Sequence, residues 1–372
     1  MNKLRIVMAW GGTGGHVYPI RSMINFLDTH SDYFSRIDKL YRAGSRNGLE
    51  KKEYDKLSPQ HTHMEFVHII SGKFRRETRF LSILKNIWDI CRLWWGIVSA
   101  TRFLRRQQID VVFCKGGFIA LPIILGAKIL KIPLIVHESD TKPGLTNRIA
   151  ARWAKQTFTG FDGIRASATT VWQILSNDMV YQPDAKYNPI VQKHIDSKDP
   201  KKTYILVLWG SLGARSIYET LSDMLIRNAR LSQDFHFLVV GGIANPEMKK
   251  YFAGFAGVTV FDYVSQHDMA ALCHLADIAI TRAGTTSLAE LKLYNIKLII
   301  IPIPWTHDQK DNALRYHKHY EDIVLDQKKH NFTSTLDFTV QQHKGFHKKP
   351  YNPDIMSGII HTKHLIAKAI FS

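Results

Sequence analysis

The stretch VMAWGGTGGHVYPI (residues 7–20) passes from an apolar run into four glycines and a histidine within six positions. A glycine-rich turn between a strand and a helix exposes backbone N–H groups to a phosphate, and the helix N-terminus adds partial positive charge. The dinucleotide fingerprint would need a third glycine where Val17 stands, and no Walker lysine and hydroxyl pair follows. The stretch therefore predicts an anion-binding turn of another kind. A tight turn that only packs helix on sheet stays open as the alternative.

Short apolar runs separated by helical stretches recur along the whole chain. They are RIVMAW (5–10), MEFVHII (64–70), DVVFC (110–114), PLIVHE (133–138), TYILVLW (203–209), FHFLVVGG (235–242), VTVF (258–261), DIAIT (277–281) and KLIIIPI (297–303). This alternation is typical of βαβ units, and near-continuous apolar runs indicate strands covered on both faces. The sequence therefore predicts an α/β protein with parallel sheets.

One sequence pattern occurs twice in the chain, and this weak internal repeat predicts two similar α/β domains. LVLWGSLGAR (206–215) runs from strand to glycine turn to helix, as VMAWGGTGGH (7–16) does. We place the domains at 1–162 and 201–353, with a polar, proline-containing linker region at 163–200. Residues 354–372 predict a terminal helix, and the polar stretch 328–353 is expected to be a variable surface insertion.

Composition limits the function classes. A formal net charge of +18 favours anionic partners such as nucleic acid, an acidic membrane surface or phosphorylated ligands. The three cysteines, Cys91, Cys114 and Cys273, form no CxxC pair, so we expect neither a disulfide framework nor a zinc site, and a reducing cytoplasm. Apolar stretches fall short of the ~20 residues of a membrane-spanning helix, and no signal-peptide core precedes the first strand.

A second candidate turn lies in ITRAGTTSLAELKLY (280–294). Here a strand ends at Arg282 and Gly284, and Thr285, Thr286 and Ser287 follow at a helix start, which suits a diphosphate. Glu290 lies about one turn further on, where it suits an acceptor for ribose hydroxyls. An ordinary first-turn carboxylate that faces the helix dipole is the alternative.

Six motifs in order resemble the MurG family of glycosyltransferases, which move N-acetylglucosamine (GlcNAc) from UDP-GlcNAc to the C4 hydroxyl of the muramyl sugar of lipid I and so form lipid II for peptidoglycan. They are GGTGGHVYPI (11–20), KGGFIALP (115–122), HESDTKPGLTNR (137–148), GSLGARS (210–216), RAGTTSLAE (282–290) and HDQKDNA (307–313). The match covers most of the chain. The rival enzymes are another UDP-sugar transferase acting on a lipid, such as a galactolipid synthase, and a UDP-GlcNAc epimerase.

The resemblance implies a GT-B fold: two Rossmann-like domains with parallel sheets facing a cleft, and a C-terminal helix that crosses back to the first domain. It implies that the N-terminal half faces the acceptor and that the C-terminal half binds the UDP-sugar donor. The implied acceptor-binding residues are Gly11, Gly12, Gly116, Gly117 and Asn147. The implied donor-binding residues are Thr13, Gly14, Gly15, Ser211, Val264, Arg282, Gly284, Thr285, Thr286, Glu290 and Gln309.

Three positions depart from the family pattern. Trp209 replaces the first glycine of the second-half turn, and Asp140 stands where the family usually has asparagine. YNPIV (187–191) replaces GNPVR, so an arginine is lost and part of donor binding is in question. We expect Trp209 to be tolerated if its side chain points into the sheet.

The implied reaction is an inverting displacement that needs a base and stabilisation of the leaving diphosphate. His16 is the first candidate for the base, because its ordinary pKa of about 6.5 suits proton transfer at neutral pH. Asp140 and Glu138 are the next candidates, and a histidine that only shapes the loop is the alternative. No D-x-D triplet occurs, so we expect no metal and no cofactor, with helix N-termini and Arg282 stabilising the diphosphate.

The segment 71–108 carries nine Lys/Arg residues against Glu77 and Asp89, and it includes Trp88, Trp94 and Trp95. Basic and tryptophan side chains together are typical of a peripheral site on an anionic membrane, which here would be the cytoplasmic face of the cell membrane. An amphipathic core helix with a solvated basic face is the alternative. No zinc-finger spacing, RNP1 or KH loop occurs, so we do not expect nucleic acid to be the partner.

Overall fold

The computed structural model describes residues 3–11, 14–46, 51, 54–55, 63–72, 80–209, 215–241, 248–350 and 355–372. The chain forms two compact units. One comprises Met1–Leu175 with Ser357–Ser372, and the other comprises Ser176–Met356. The C-terminal helix therefore belongs to the first unit, as the resemblance implied.

In the described residues, the first unit contains a sheet of parallel strands in the order β3-β2-β1-β4-β5-β6-β7. The strands are β1 (Leu4–Trp10), β2 (Ile37–Gly44), β3 (Met64–His68), β4 (Val111–Gly116), β5 (Leu134–Glu138), β6 (Gln156–Thr159) and β7 (Thr169–Thr170). The helices are α1 (Gly14–Thr29), α2 (Ser31–Phe34), α3 (Phe80–Arg106), α4 (Leu121–Ile129), α5 (Leu145–Ala150) and the C-terminal α14 (Ile355–Phe371). A 3-10 turn, Phe118–Ala120, precedes α4.

Side-chain alternation along β1 explains why this sheet is covered on both faces. Ile6, Met8 and Trp10 pack into a core with α1 and α14, where Ile366 and Phe371 contribute from the C-terminal helix. The intervening Val7 and Ala9 pack on the other face, against residues of α3 and α4. Each face removes apolar surface from water, which is the main term that stabilises such a sheet.

The second unit has the same plan, with parallel strands in the order β10-β9-β8-β11-β12-β13. The strands are β8 (Thr203–Leu208), β9 (Phe235–Val240), β10 (Val258–Phe261), β11 (Ile278–Thr281), β12 (Lys297–Ile300) and β13 (Ile323–Val324). The helices are α6 (Pro189–Asp196), α7 (Arg215–Arg227), α8 (Leu231–Asp234), α9 (Lys249–Phe252), α10 (Gln266–Leu275), α11 (Thr285–Lys292), α12 (His307–Tyr320) and α13 (Phe332–Gln341).

In both units the strand order reverses at one place. The chain adds strands on one side of β1 and then crosses to β4, and it does the same at β8 and β11. Ligands of open α/β sheets bind at the carboxyl ends of the strands at such a switch point. In the sequence the predicted glycine turns follow these four strands, and in the described residues the ends of β1 and β4 and those of β8 and β11 lie side by side.

Two segments differ from the sequence expectation. The predicted linker at 163–200 contains β7 and α6, and it divides between the two units at Leu175 and Ser176. The predicted surface insertion at 328–353 is wrong for α13, because Phe332, Leu336 and Val340 are buried in the core of the second unit.

Candidate functional site

The glycine turns of the first unit touch at the carboxyl edge of the sheet. Trp10 at the end of β1 pairs with Gly116 at the end of β4. Gly116 and Gly117 have positive φ values of 98° and 88°, and a Cβ on Gly117 would collide with the carbonyl oxygen of Gly11. Only glycine meets both conditions. The structure thus brings three of the predicted acceptor residues together as bare backbone.

The first glycine loop is described in part. Gly12 and Thr13 lie outside the described residues. Gly14, Gly15 and His16 form the first turn of α1, and the side chain of His16 also lies outside the description. The start of α1 therefore lies one short loop after β1, as the motif predicts, and the roles of Thr13 and His16 stay predictions.

Glu138 organises the loop that follows β5. Its Oε1 accepts the backbone N–H of Asp140 at 2.9 Å. Its Oε2 accepts the backbone N–H of Gly144 at 3.1 Å and the side-chain amide of Asn147 at 2.9 Å. A carboxylate that accepts several N–H groups holds a turn in one conformation, and here it fixes the entry to α5.

This geometry argues against Glu138 as the base and against Asn147 as a direct acceptor contact. Both side chains are buried, at 4% exposure each, and they bond to each other. Burial and the charge of Asp140 raise the pKa of Glu138. Asp140 itself is partly exposed at the start of the same loop. The sequence grouped the three residues because they share one motif, whereas the fold separates support residues from the more accessible carboxylate.

In the second unit Arg282 is turned inward. It follows β11 and is 7% exposed, and its Nη1 donates to the Ile301 carbonyl at 3.0 Å and to Gln327 Oε1 at 2.6 Å. Burial lowers the pKa of Arg282 to about 10. The guanidinium carbon lies 5.9 Å from the ring centre of Trp209. These contacts argue against the expectation that Arg282 reaches the nucleotide or the diphosphate directly.

Trp209 and the YNPIV segment are part of the unit's packing. The indole of Trp209 is buried in the core and meets Tyr218 edge to face at 6.1 Å, as expected for a side chain that points into the sheet. Asn188 caps α6 by accepting the Ile190 N–H at 3.0 Å. Val191, at the family's arginine position, is fully buried. The local fold therefore does not need that arginine.

Gln309 and Asn312 hold the turn between β11 and α11. Gln309 Oε1 accepts the backbone N–H of Ala283 at 3.3 Å and that of Ile303 at 3.0 Å. Asn312 Nδ2 donates to the carbonyl of the same Ala283 at 3.3 Å. Sequence reasoning missed Asn312, although residues three apart on a helix share a face. Gln309 was predicted to bind the donor at the nucleotide or the sugar, and its Oε1 joins the turns that follow β11 and β12.

The start of α11 and Glu290 form the centre of this second edge. Gly284 is the N-cap of α11 and provides no side chain to cap it, and Thr285 is buried while Thr286 is partly exposed. Glu290 lies on the same helix, and burial raises its pKa to about 8. Val264 is partly buried between β10 and α10, and Ser211 lies outside the described residues. The edge therefore offers a helix N-terminus and a carboxyl group that changes from neutral to anionic near pH 8.

Two family models match the chain in order. The glycosyltransferase family 28 N-terminal domain matches residues 6–159, and the glycosyltransferase family 28 C-terminal domain matches residues 204–370. Together they cover most of the chain, and each contains one of the two switch-point edges. The chain belongs to glycosyltransferase family 28. It is therefore a glycosyltransferase.

One curated relative, from Staphylococcus carnosus (strain TM300), is 28% identical to this chain over 349 residues. Its name is UDP-N-acetylglucosamine--N-acetylmuramyl-(pentapeptide) pyrophosphoryl-undecaprenol N-acetylglucosamine transferase. The match covers 91% of this chain and 88% of the relative. The crystal structure of Acinetobacter baumannii MurG superimposes with a TM-score of 0.66 at 20% identity over 99% of both chains. A putative UDP-N-acetylglucosamine 2-epimerase from Listeria monocytogenes gives a TM-score of 0.61 at 11% identity, over 97% of this chain and 94% of its own.

The two solved structures show the fold alone, and they confirm the predicted GT-B type with two parallel-sheet α/β domains. Within the described residues, no helix is long and apolar enough to cross a membrane.

Proposed function

We propose that this family 28 enzyme transfers GlcNAc from UDP-GlcNAc to the C4 hydroxyl of the N-acetylmuramyl sugar of lipid I, which forms lipid II for peptidoglycan. The observation that carries the proposal is the near full-length match to a relative named for this activity. The contact between the glycine turns supports it, because the acceptor is a diphosphate and bare backbone is the local geometry that a diphosphate needs.

In the proposed reaction the acceptor oxygen bonds to the anomeric carbon while the bond from that carbon to the UDP oxygen breaks. The hydroxyl proton goes to a base on the first unit, and UDP carries away the electron pair. We propose His16 as that base and Asp140 as the second candidate, since Glu138 is committed to its loop.

On the donor side, the N-terminus of α11 would stabilise the leaving diphosphate, together with Ser211. Glu290 would bind the ribose, Val264 would meet the uracil through its backbone, and Gln309 would contact the sugar through its amide nitrogen. Arg282 would act through Trp209 and Gln327, as a support for the edge.

A membrane-facing surface on α3 is part of the proposal. Trp88, Trp94 and Trp95 are 67%, 66% and 71% exposed, while Ala100 and Leu104 of the same helix are buried. Arg92, Arg102, Arg105 and Arg106 are among the cations of this helix. Solvent-exposed tryptophans beside arginines suit the headgroup region of an anionic bilayer, where the lipid acceptor resides. We propose peripheral attachment at the cytoplasmic face of the cell membrane.

The test is UDP release by the purified protein from UDP-GlcNAc, with and without a short-chain lipid I analogue. UDP-glucose and UDP-galactose serve as controls for the sugar. We expect release that depends on both lipid I and GlcNAc. Release with another lipid alone would indicate a different acceptor, and conversion of UDP-GlcNAc without any acceptor would indicate an epimerase.

The membrane surface is tested by co-sedimentation with vesicles that contain anionic phospholipid. Replacing Trp94 and Trp95 by alanine should reduce vesicle binding about tenfold, because each indole loses its burial at the headgroups. Trp305, which is 75% exposed in the second unit, provides the matched alanine control. Equal loss in the control, or no loss in the double variant, would contradict the assignment.

A further inference from the structure

A buried lysine lies between the turn Gly116–Gly117 after β4, called here the second glycine turn, and the loop after β5. Lys115 is 1% exposed in β4, directly before Gly116, and its ammonium donates to the hydroxyl of Ser139. Ser139 is buried as well, and its carbonyl accepts the side-chain amide of Gln173 at 2.9 Å. Burying a charged group costs free energy unless other groups compensate for it, so the position of Lys115 needs a reason.

The groups that face Lys115 identify its electrostatic partners. They are Cys114 on its own strand and His137, Glu138 and Asp140 from β5 and its loop. Burial raises the pKa of the Cys114 thiol to about 12 and lowers that of the His137 imidazole well below its usual value, so both are neutral at pH 7. The ammonium therefore acts on two carboxylates.

Glu138 is the buried carboxyl group that holds the loop after β5. Its two oxygens accept three N–H groups, which favours the ionised form, because a protonated carboxyl gives up one acceptor position to its own O–H. Burial and the charge of Asp140 raise the pKa of Glu138, the hydrogen bonds from the Asp140 N–H and the Asn147 side chain lower it, and the Lys115 charge adds to that lowering. Without the ammonium, Ser139 at the start of the 139–144 loop would lose its buried hydrogen-bond donor.

We propose that Lys115 is a positioning residue for the acceptor half of the reaction, which holds Ser139, and with it Asp140 and the 139–144 loop, against the second glycine turn. This inference rests on the proposed function for its kinetic consequence. Its structural consequence is that Lys115 fixes the 139–144 loop inside the first unit, and this can be measured without any enzymatic activity.

Lys115→Met is compared with the wild-type chain in the UDP-release assay, and amide hydrogen exchange is measured at Asp140 and Gly144. We expect kcat/KM for the lipid I analogue to fall about 10²-fold, as a small displacement of a catalytic group does. The donor KM should stay unchanged, and the two amides should exchange faster.

Lys155→Met, an exposed lysine of the same unit, controls for loss of charge. If Lys115→Met does not fold, Ser139→Ala removes only the hydroxyl partner, and a decrease of about tenfold with faster amide exchange is expected. Wild-type kinetics and exchange in the variant that folds would overturn the proposal. If the wild-type chain releases no UDP with lipid I, the proposed function fails, and amide exchange alone decides on Lys115.

Discussion

The two units share one topology and support their ligand edges by different chemistry. In the first, the edge is held by buried charges, with Glu138 accepting three N–H groups beside Lys115. In the second, the corresponding turn is held by neutral amides, Gln309 and Asn312, which bind the N–H and carbonyl of Ala283. The strand order therefore sets where a site lies, while the supporting residues set its electrostatic character. The hydrogen bonds that hold the first edge therefore depend on the ionisation of a carboxyl group, whereas those that hold the turn in the second edge come from amides that do not titrate.

The largest expected effect is that of the His16→Ala variant, which should change kcat and leave the KM for UDP-GlcNAc unchanged. Replacing His16 by alanine should lower kcat about 10²–10⁴-fold, the usual contribution of a general base, and leave the KM for UDP-GlcNAc unchanged. Steady-state UDP release measures both constants. His330→Ala, an exposed histidine of the second unit, is the control. An unchanged kcat would show that His16 only shapes the loop and would move the role of base to Asp140.

The contact between the glycine turns gives the next largest effect. Gly117→Ala should lower kcat/KM for the acceptor about 10²-fold, because the new Cβ collides with the Gly11 carbonyl and displaces both turns. Gly163→Ala is a matched control, since Gly163 also has a positive φ, 71°, but its Cβ would meet nothing within 4 Å. Equal losses in the two variants would show that backbone strain and not the contact is responsible.

A smaller effect tests the amide support in the second unit. Gln309→Ala leaves the N–H groups of Ala283 and Ile303 without their acceptor, which should raise the KM for UDP-GlcNAc about tenfold and leave the acceptor KM unchanged. The exposed Gln342 offers a control alanine variant. A change in the acceptor KM instead would contradict the assignment of the two edges to two substrates.

The smallest effect concerns the pH dependence of stability. Since burial raises the pKa of Glu290 from 4.5 to about 8, this group contributes stability that is present below pH 4.5 and is lost as the pH rises through about 8. Glu290→Gln should therefore gain about 2–4 °C in Tm relative to wild type between pH 5 and pH 9. Thermal melts without donor measure the difference, and parallel Tm curves would contradict the raised pKa.

Most of the fold follows from the sequence because apolar runs mark strands that are buried on both faces. All of the strands that were predicted from such runs are present, and β2 was missed because Asp38, Lys39 and Arg42 interrupt its pattern. Arg42 is fully buried, with its guanidinium 4.9 Å from the ring centre of Trp10. Local periodicity cannot reveal such a partner, since it comes from another strand. The short β6, β7 and β13 give too few residues for a pattern.

The position of the site could be predicted, and the direction of several side chains could not. The glycine turns follow strands in the sequence, so their shared edge follows from parallel pairing. Arg282 was expected at the diphosphate, but its partner Gln327 lies 45 residues away and is visible only in the fold. Lys115 was missed because a lysine at the end of a strand has no signature until its neighbours are known.

The C-terminal helix α14 has a consequence for how the chain is made. Ile366 and Phe371 complete a core that begins with Ile6 and Met8, so the first unit is built from two stretches of chain that flank the whole second unit. The second unit, Ser176–Met356, is continuous and can form while translation proceeds. Domains emerging from the ribosome usually fold from the N-terminus onward. The first unit therefore starts to be made before the second unit and is completed after it, and one apolar face of its sheet stays uncovered until α14 has been made.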